Sequence, residues 1–144
     1  MRIYLDVCCL CRPFDDQSQD RIRLETEAII TLLKHCQLGG WIFAASRAID
    51  YELSRIKDGD KLKDIHKIYS LAGQRLLTDE RIEKRSNILQ GQGLSFFDSL
   101  HLALAEAYEY DVLLTTDDDF IAVAKRIPLS VRVENPVAWL LEVL

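Results

Sequence analysis

An α/β fold, with a mainly parallel sheet of about five strands between two layers of helices, is what these 144 residues predict. Short runs rich in Ile, Val, Leu and Tyr alternate with longer stretches of helical period. Alternation of that kind implies right-handed βαβ crossovers and a three-layer α/β/α sandwich. Four acidic residues, Asp6, Glu52, Asp98 and Asp117, fall at strand ends or near helix starts. Sheets of this class bind their ligands outside the carboxyl ends of the strands.

The elements follow in order. Residues 2–8 are rich in Ile, Tyr and Val and read as a buried first strand. RPFDDQSQD (12–20) holds Pro and many polar groups and reads as a loop. From Arg21 to Cys36, the positions Ile22, Ala28, Ile29, Leu32, Leu33 and Cys36 keep a helical period, which Gly39 and Gly40 stop. WIFAA (41–45) is a short buried strand, and Ser46 is placed to cap a helix running to about Ile56. KDGDK breaks it, and a second helix runs from about Lys61 to Ala72 before Gly73. RLL (75–77) reads as a short strand, and Thr78 or Asp79 caps a helix to about Leu89. After the loop GQGLS, residues 96 to about 109 are helical, with Leu100, Leu104 and Ala107 on one face. DVLLTT (111–116) is a clear strand, and Asp117 or Asp118 opens a helix to about Arg126. SVRVE (130–134) is the last strand, and Asn135-Pro136 pairs an N-cap with a first-turn proline.

The chain is 49% hydrophobic and 28% charged, ordinary values for a globular protein. Its length suits one domain, residues 1–144. No apolar run approaches the roughly 18 to 20 residues that span a bilayer. MRIYLDVCCLC lacks the apolar stretch of a signal peptide, so a cytoplasmic location is expected. Cys8, Cys9, Cys11 and Cys36 offer no disulfide framework, and Cys8-x-x-Cys11 lacks the second pair a zinc site needs. Free thiols in a reducing compartment are the expectation. A net charge of −5 argues against a binder that relies on a broadly basic surface.

Carboxylates crowded at one sheet edge repel each other and need a compensating cation, typically a hard divalent ion such as Mg²⁺ or Mn²⁺. Phosphodiester hydrolysis is the chemistry such a cluster suits. Asp6 lies between Leu5 and Val7, where a buried strand rarely carries an unpaired acid. Each other acid has a plainer reading. Asp98 suits a helix first turn, Glu52 a solvated helix face, and one residue of Asp117-Asp118-Asp119 a cap. Thr115 can hydrogen-bond an acid or cap a helix, and His101 stands one turn after Asp98. Arg81, Lys84 and Arg85 form a basic helix face, solvated by default.

Four segments in order carry a resemblance: Asp6 ending the first strand, Glu52-Leu53 on an early helix, Asp98-Ser99-Leu100-His101-Leu102-Ala103 opening a helix, and Thr115-x-Asp117-x-Asp119-Phe120 after a strand. They resemble the motifs of PIN-domain nucleases, especially small ribonucleases of the VapC toxin type, over nearly the whole chain. The resemblance implies a PIN-like fold and a Mg²⁺- or Mn²⁺-dependent endoribonuclease. It implies catalytic roles for Asp6, Glu52, Asp98 and Asp117. Asp6, Asp98 and Asp117 would be metal ligands, Glu52 would hold water or a second metal, and Asp119 and Thr115 would assist. It also implies an RNA substrate and an antitoxin partner covering the acidic cleft. Two departures stand out. Val7, Cys8 and Cys9 occupy positions where many members carry a hydroxyl or Asn after the first Asp, and the loop Arg12–Asp16 is not a general feature.

The rival expectation is a non-catalytic PIN-like module that binds RNA or a partner. A phosphoacceptor receiver and a haloacid-dehalogenase phosphatase are excluded by acid spacing, since Asp6-Val7-Cys8 gives neither pattern after the first strand. Val137, Trp139, Leu140, Leu141 and Leu144 are available either to complete the core or to join a homodimer, the expected assembly.

Overall fold

The computed structural model describes residues 1–144. The elements are β1 (Arg2–Leu5), α1 (Val7–Cys11), α2 (Asp20–Gln37), β2 (Ile42–Ser46), α3 (Arg47–Ser54), α4 (Gly59–Tyr69), β3 (Gln74–Leu76), α5 (Glu80–Gly91), α6 (Phe96–Ala107), β4 (Val112–Leu114), α7 (Asp118–Ala124), β5 (Arg132–Glu134) and α8 (Pro136–Val143). A 3₁₀ turn spans Arg12–Phe14. The sheet is five-stranded and entirely parallel, in the order β3-β2-β1-β4-β5.

The order places β1 at the centre, where strands are buried on both faces and apolar runs need not alternate. Ile3, Tyr4 and Leu5 are fully buried, as are Val112, Leu113 and Leu114 of β4. Right-handed crossovers send the β1–β2 and β2–β3 connections to one face and the β3–β4 and β4–β5 connections to the other. β1 and β4 pair through Ile3–Val112 and Leu5–Leu114. The ladder runs one step further, because the Asp6 N–H donates to the Leu114 carbonyl at 3.0 Å. The chain reversal in strand order between β1 and β4 opens a crevice beyond their carboxyl ends.

Most expected boundaries hold within a few residues, and the reading of 2–8 as one strand is the correction. The strand stops at Leu5 and Val7–Cys11 is helical. Asp6 turns the chain: it is extended (φ −62°, ψ 152°), and its carboxylate accepts from the Val7 N–H at 2.8 Å as an N-cap. Val-Cys-Cys-Leu-Cys is apolar enough to suit either state, and the cap selects the helix. Ser46 and Asn135 cap as expected, and of the alternatives Thr78/Asp79 and Asp117/Asp118 the caps are Asp79 and Asp117, each accepting from a first-turn N–H. Gly39 leaves α2 with φ +86°, open to glycine without strain.

The C-terminal apolar stretch divides. Trp139 and Leu140 are buried, and Trp139 meets Trp41 edge-on with centroids 5.4 Å apart. Leu141 and Leu144 stay 76% and 69% exposed, so completing the core uses only part of the stretch.

The loop 12–20 is anchored by a carboxylate within the protein. Glu25 is 1% exposed and accepts from Arg12 Nε at 2.9 Å, Arg21 Nε at 3.3 Å and Asn135 Nδ2 at 2.6 Å. Arg12 also pairs with Asp15, which Lys61 reaches at 2.9 Å. Arg21 grips Asp118 through two nitrogens at 2.7 and 2.8 Å and donates to the Thr116 carbonyl. One buried acid therefore ties α2, the 12–20 loop, the start of α8 and the β4–α7 turn. Truncating one partner of a buried pair leaves the others uncompensated. Glu25→Ala should lower unfolding stability by about 3 kcal/mol, read from the urea midpoint. A loss below about 0.5 kcal/mol would show that the network is not what holds the loop.

Candidate active site

The crevice beyond β1 and β4 is built from both strands and from the helices α3, α6 and α7. Asp6, 7% exposed, is its innermost acid. Its Oδ1 receives the Val7 N–H, and its Oδ2 receives the Thr115 hydroxyl at 2.8 Å. Thr115, fully buried, also accepts from the Asp117 N–H at 3.1 Å, so one hydroxyl sets the spacing between two of the expected acids. Asp117 caps α7 with Oδ1, which accepts from Asp119 and Phe120 N–H at 2.9 and 3.2 Å. Asp119 is exposed at the first turn of α7. Asp118 is also exposed and is the acid that Arg21 holds.

Glu52 comes from α3 and His101 from α6. His101 Nε2 hydrogen-bonds Glu52 Oε1 and lies 3.9 Å from Asp6 Oδ1. One donor atom each from Asp6, Glu52 and His101 falls within 4.8 Å of the other two. The other face of the His101 ring meets Tyr4 OH at 2.5 Å, and Tyr4 OH meets Ser46 Oγ at 2.8 Å. Ser46 Oγ in turn accepts from Ile49 N–H at 3.2 Å. A neutral His101 with its proton on Nε2 satisfies every donor in this chain. Ser46 O–H donates to Tyr4, Tyr4 O–H donates to Nδ1, and Nε2–H donates to Glu52. In that tautomer His101 has no lone pair to offer a metal. Its work is to hold Glu52.

Asp98 opens α6 beneath the Ser95 cap and is half-buried. Burial, then the neighbouring charges of Asp6 and Asp117, push its carboxyl up to about 6, with the Ser95 hydrogen bond acting in the opposite direction. The structure thus brings Asp6, Glu52, Asp98 and Asp117 to one edge, with Thr115 inside the group and Asp119 at its rim.

A contrast in partners sets these acids apart. Asp15, Glu25, Asp50, Glu106 and Asp118 each meet an arginine or lysine. None of Asp6, Glu52, Asp98 and Asp117 does; the sole cationic candidate near them is His101. Arg85, one of the basic helix face, is taken by Glu106. A hard divalent cation fits the cluster: its donors are carboxylate oxygens, they repel one another, and the protein supplies no base to neutralise them.

Three contributors lie outside the expected set. Tyr4 and Ser46 fix the histidine; Tyr4 precedes Asp6 by two residues, a spacing that puts both on one face of an extended chain. Cys8 fills the place where a hydroxyl was expected after the first Asp. Its Sγ lies 3.5 Å from Asp6 Oδ2 and 3.4 Å from Thr115 Oγ1, and it accepts from Thr116 N–H at 3.3 Å.

The chain is thus an open parallel α/β sheet carrying an acidic crevice at its switch point. The PIN domain family model matches residues 3–126, and the chain belongs to that family, whose members are generally nucleases. Similar solved structures agree on the fold. FitAcB from Neisseria gonorrhoeae is 20% identical with a TM-score of 0.61, covering 93% of this chain and 97% of its own. VapBC2 from Rickettsia felis, solved with a DNA fragment from its promoter, is 19% identical with a TM-score of 0.59, covering 94% and 98%. PAE2754 from Pyrobaculum aerophilum is 17% identical with a TM-score of 0.58, covering 99% and 97%. No curated protein matches the sequence. No helix is long and apolar enough to cross a membrane.

Two outcomes test this geometry. A carboxyl raised to about 6 binds its proton more tightly in the folded chain than in the unfolded one. Its ionisation therefore costs stability progressively as pH rises from about 4 to 6, and the full cost persists above 6. Asp98→Asn should raise stability in metal-free buffer by about 1 kcal/mol at pH 7.5, after discounting for solvent screening. The gain should vanish near pH 4. A pH-independent gain, measured by urea denaturation, would show that the charge is not the cause. Tyr4→Phe removes the donor to His101 Nδ1 and should cost about 1 kcal/mol. Unchanged stability, read from the urea midpoint, would dismiss the relay.

Proposed function

We propose that this protein is a metal-dependent endoribonuclease that hydrolyses RNA phosphodiester bonds and acts as the toxin of a toxin–antitoxin pair. The observation that carries this reading is the convergence of four acids on the crevice without a basic partner. Asp6, Asp98 and Asp117 hold Mg²⁺ or Mn²⁺, and Asp119 adds negative charge at the rim. The cation supplies charge neutralisation at the phosphate and a more acidic water.

The chain's own groups do the rest. Thr115 fixes Asp6 and spaces it from Asp117. His101 donates to one oxygen of Glu52, and the other oxygen, which meets no protein donor, accepts from the attacking water. Orienting that water for in-line attack is a positioning effect. At Asp98, whose carboxyl is raised to about 6 without metal, protons compete with the cation for the carboxylate, so activity should fall at acid pH.

The toxin assignment rests on the family and on the fold likeness to the VapBC and FitAcB structures. An antitoxin would cover the acidic cleft with a basic or aromatic segment. Leu141 and Leu144, exposed on α8, are available for a homodimer contact. One domain, residues 1–144, and a cytoplasmic site of action complete the reading.

The test is cleavage of a mixed single-stranded RNA panel in Mg²⁺ or Mn²⁺. Chelation with EDTA should abolish cleavage. Asp6→Asn, Asp98→Asn and Asp117→Asn, purified identically, should each lower the rate by about 100-fold or more. Absence of cleavage in either metal would reject the enzyme in favour of a non-catalytic PIN-like binding module.

A further inference from the structure

A groove between α3 and α6 adjoins the acidic cluster and has no part in the chemistry above. It encloses about 510 Å³, within the roughly 300–1,000 Å³ of small-molecule clefts. Its floor is aromatic. Tyr51 stacks on Phe97 with centroids 5.4 Å apart and planes at 19°, and Phe96 meets Phe97 edge-on at 5.1 Å. Tyr51 is 55% and Phe96 56% exposed, so both present open ring surface to water.

The walls are basic. Arg47, Tyr51 and Arg55 follow one another at helical spacing along α3 and its C-cap, so the three share one face, and all line the groove. Both arginines are exposed, and neither forms an ion pair; Glu83, the one carboxylate lining the groove, pairs with neither. In a chain of net charge −5 this is a local reversal of sign. Phe97 links the groove to the crevice: its ring stacks on Tyr51 and its centroid lies 6.4 Å from that of His101.

We propose that this groove binds single-stranded RNA, with a base stacked on Tyr51 and Phe96 and flanking phosphates held by Arg47 and Arg55. The proposal rests on the ribonuclease reading and adds the surface that holds the substrate's bases and flanking phosphates. Aromatic rings interleaved with arginine make a stacking platform for unpaired bases, whose π-faces are all usable. A duplex hides those faces within its own stack. A second copy of the chain is the competing occupant. In a two-fold contact that brought groove against groove, like patches would meet, and Arg47 and Arg55 of the two copies would oppose one another.

The experiment is fluorescence anisotropy of a labelled RNA of about 12 nucleotides, titrated with intact protein in EDTA so that no cleavage occurs. Sedimentation is followed on the same samples. Tyr51→Ala and Phe96→Ala should each weaken binding by about 10-fold. The Arg47→Gln, Arg55→Gln double variant should flatten the salt dependence by about 0.7 in slope per arginine. The same sequence as a duplex should bind more weakly than the single strand. Absence of RNA binding by the parent, or variants that bind as the parent does, would overturn the proposal. So would a Tyr51→Ala protein that changes from dimer to monomer with its RNA affinity intact. Cleavage in Mg²⁺ or Mn²⁺ separates the two readings. Variants that bind like a cleaving parent remove the groove and leave the ribonuclease, whereas groove-dependent binding without cleavage does the reverse.

Discussion

A carboxylate buried at the end of the central strand constrains everything built around it. Asp6 sits where β1 and β4 release their last ladder bond, and a charge there must find polar support. The support is local: one backbone N–H, one threonine hydroxyl and one thiol. None of these carries a positive charge. Once Asp6 is held in this way, every further acid brought to the edge raises the cost of leaving the site without a cation; at Asp98 burial first, and the charge of Asp6 second, push the carboxyl up. The α1 helix, the β4–α7 turn and the Tyr4–His101 chain are the parts of the fold that keep Asp6 and its neighbours from relaxing apart.

The molecule uses its acids in two ways, and the difference lies in the partners. Glu25 is more deeply buried than any acid of the crevice, yet it is met by two arginines and an asparagine. It behaves as a joint, and its network reaches Asp118, next to the acid that caps α7. The crevice acids instead receive neutral donors, which fix their direction without cancelling their charge. Arg21 sharpens the contrast: it grips Asp118 and the Thr116 carbonyl on either side of Asp117 while making no ion pair with Asp117 itself. The basic residues brace the turn and leave the field of the crevice negative.

Much of this was legible in the residues. An acid between Leu5 and Val7 could not be an ordinary strand residue, and Ser46, Asp79, Asp117 and Asn135 announce their helices through side-chain oxygens at the right offset. Strand–helix alternation was enough for the parallel sheet, because short parallel strands need crossovers and crossovers need helices. The helix α1 was hidden because Val7–Cys11 has no polar position to reveal a period. The Tyr4–His101–Glu52 chain was hidden for another reason: its members come from β1, α6 and α3, separated by up to 97 residues, and only packing brings them together. Glu25, one of three acids on the 18-residue helix α2, carries no local mark of burial.

His101 shows how one buried side chain can unite the fold and the site. It is fully buried in α6, it touches β1 through Tyr4, and it reaches α3 through Glu52. A shift of α3 relative to α6 would break the bond to Glu52 and leave a buried ring nitrogen unsatisfied, so the two helices are held in one relative position. Those same helices carry Tyr51 and Phe97, stacked on each other one residue before Glu52 and Asp98. The distance between the aromatic groove and the acids is therefore set by the same contact that orients Glu52. For a nuclease this is an economical arrangement: whatever lies on the rings is registered against the acids without a flexible segment intervening. The neutral tautomer matters here, because a second proton on Nδ1 would leave Tyr4 no acceptor at the ring and would turn the Tyr4–Ser46 pair around.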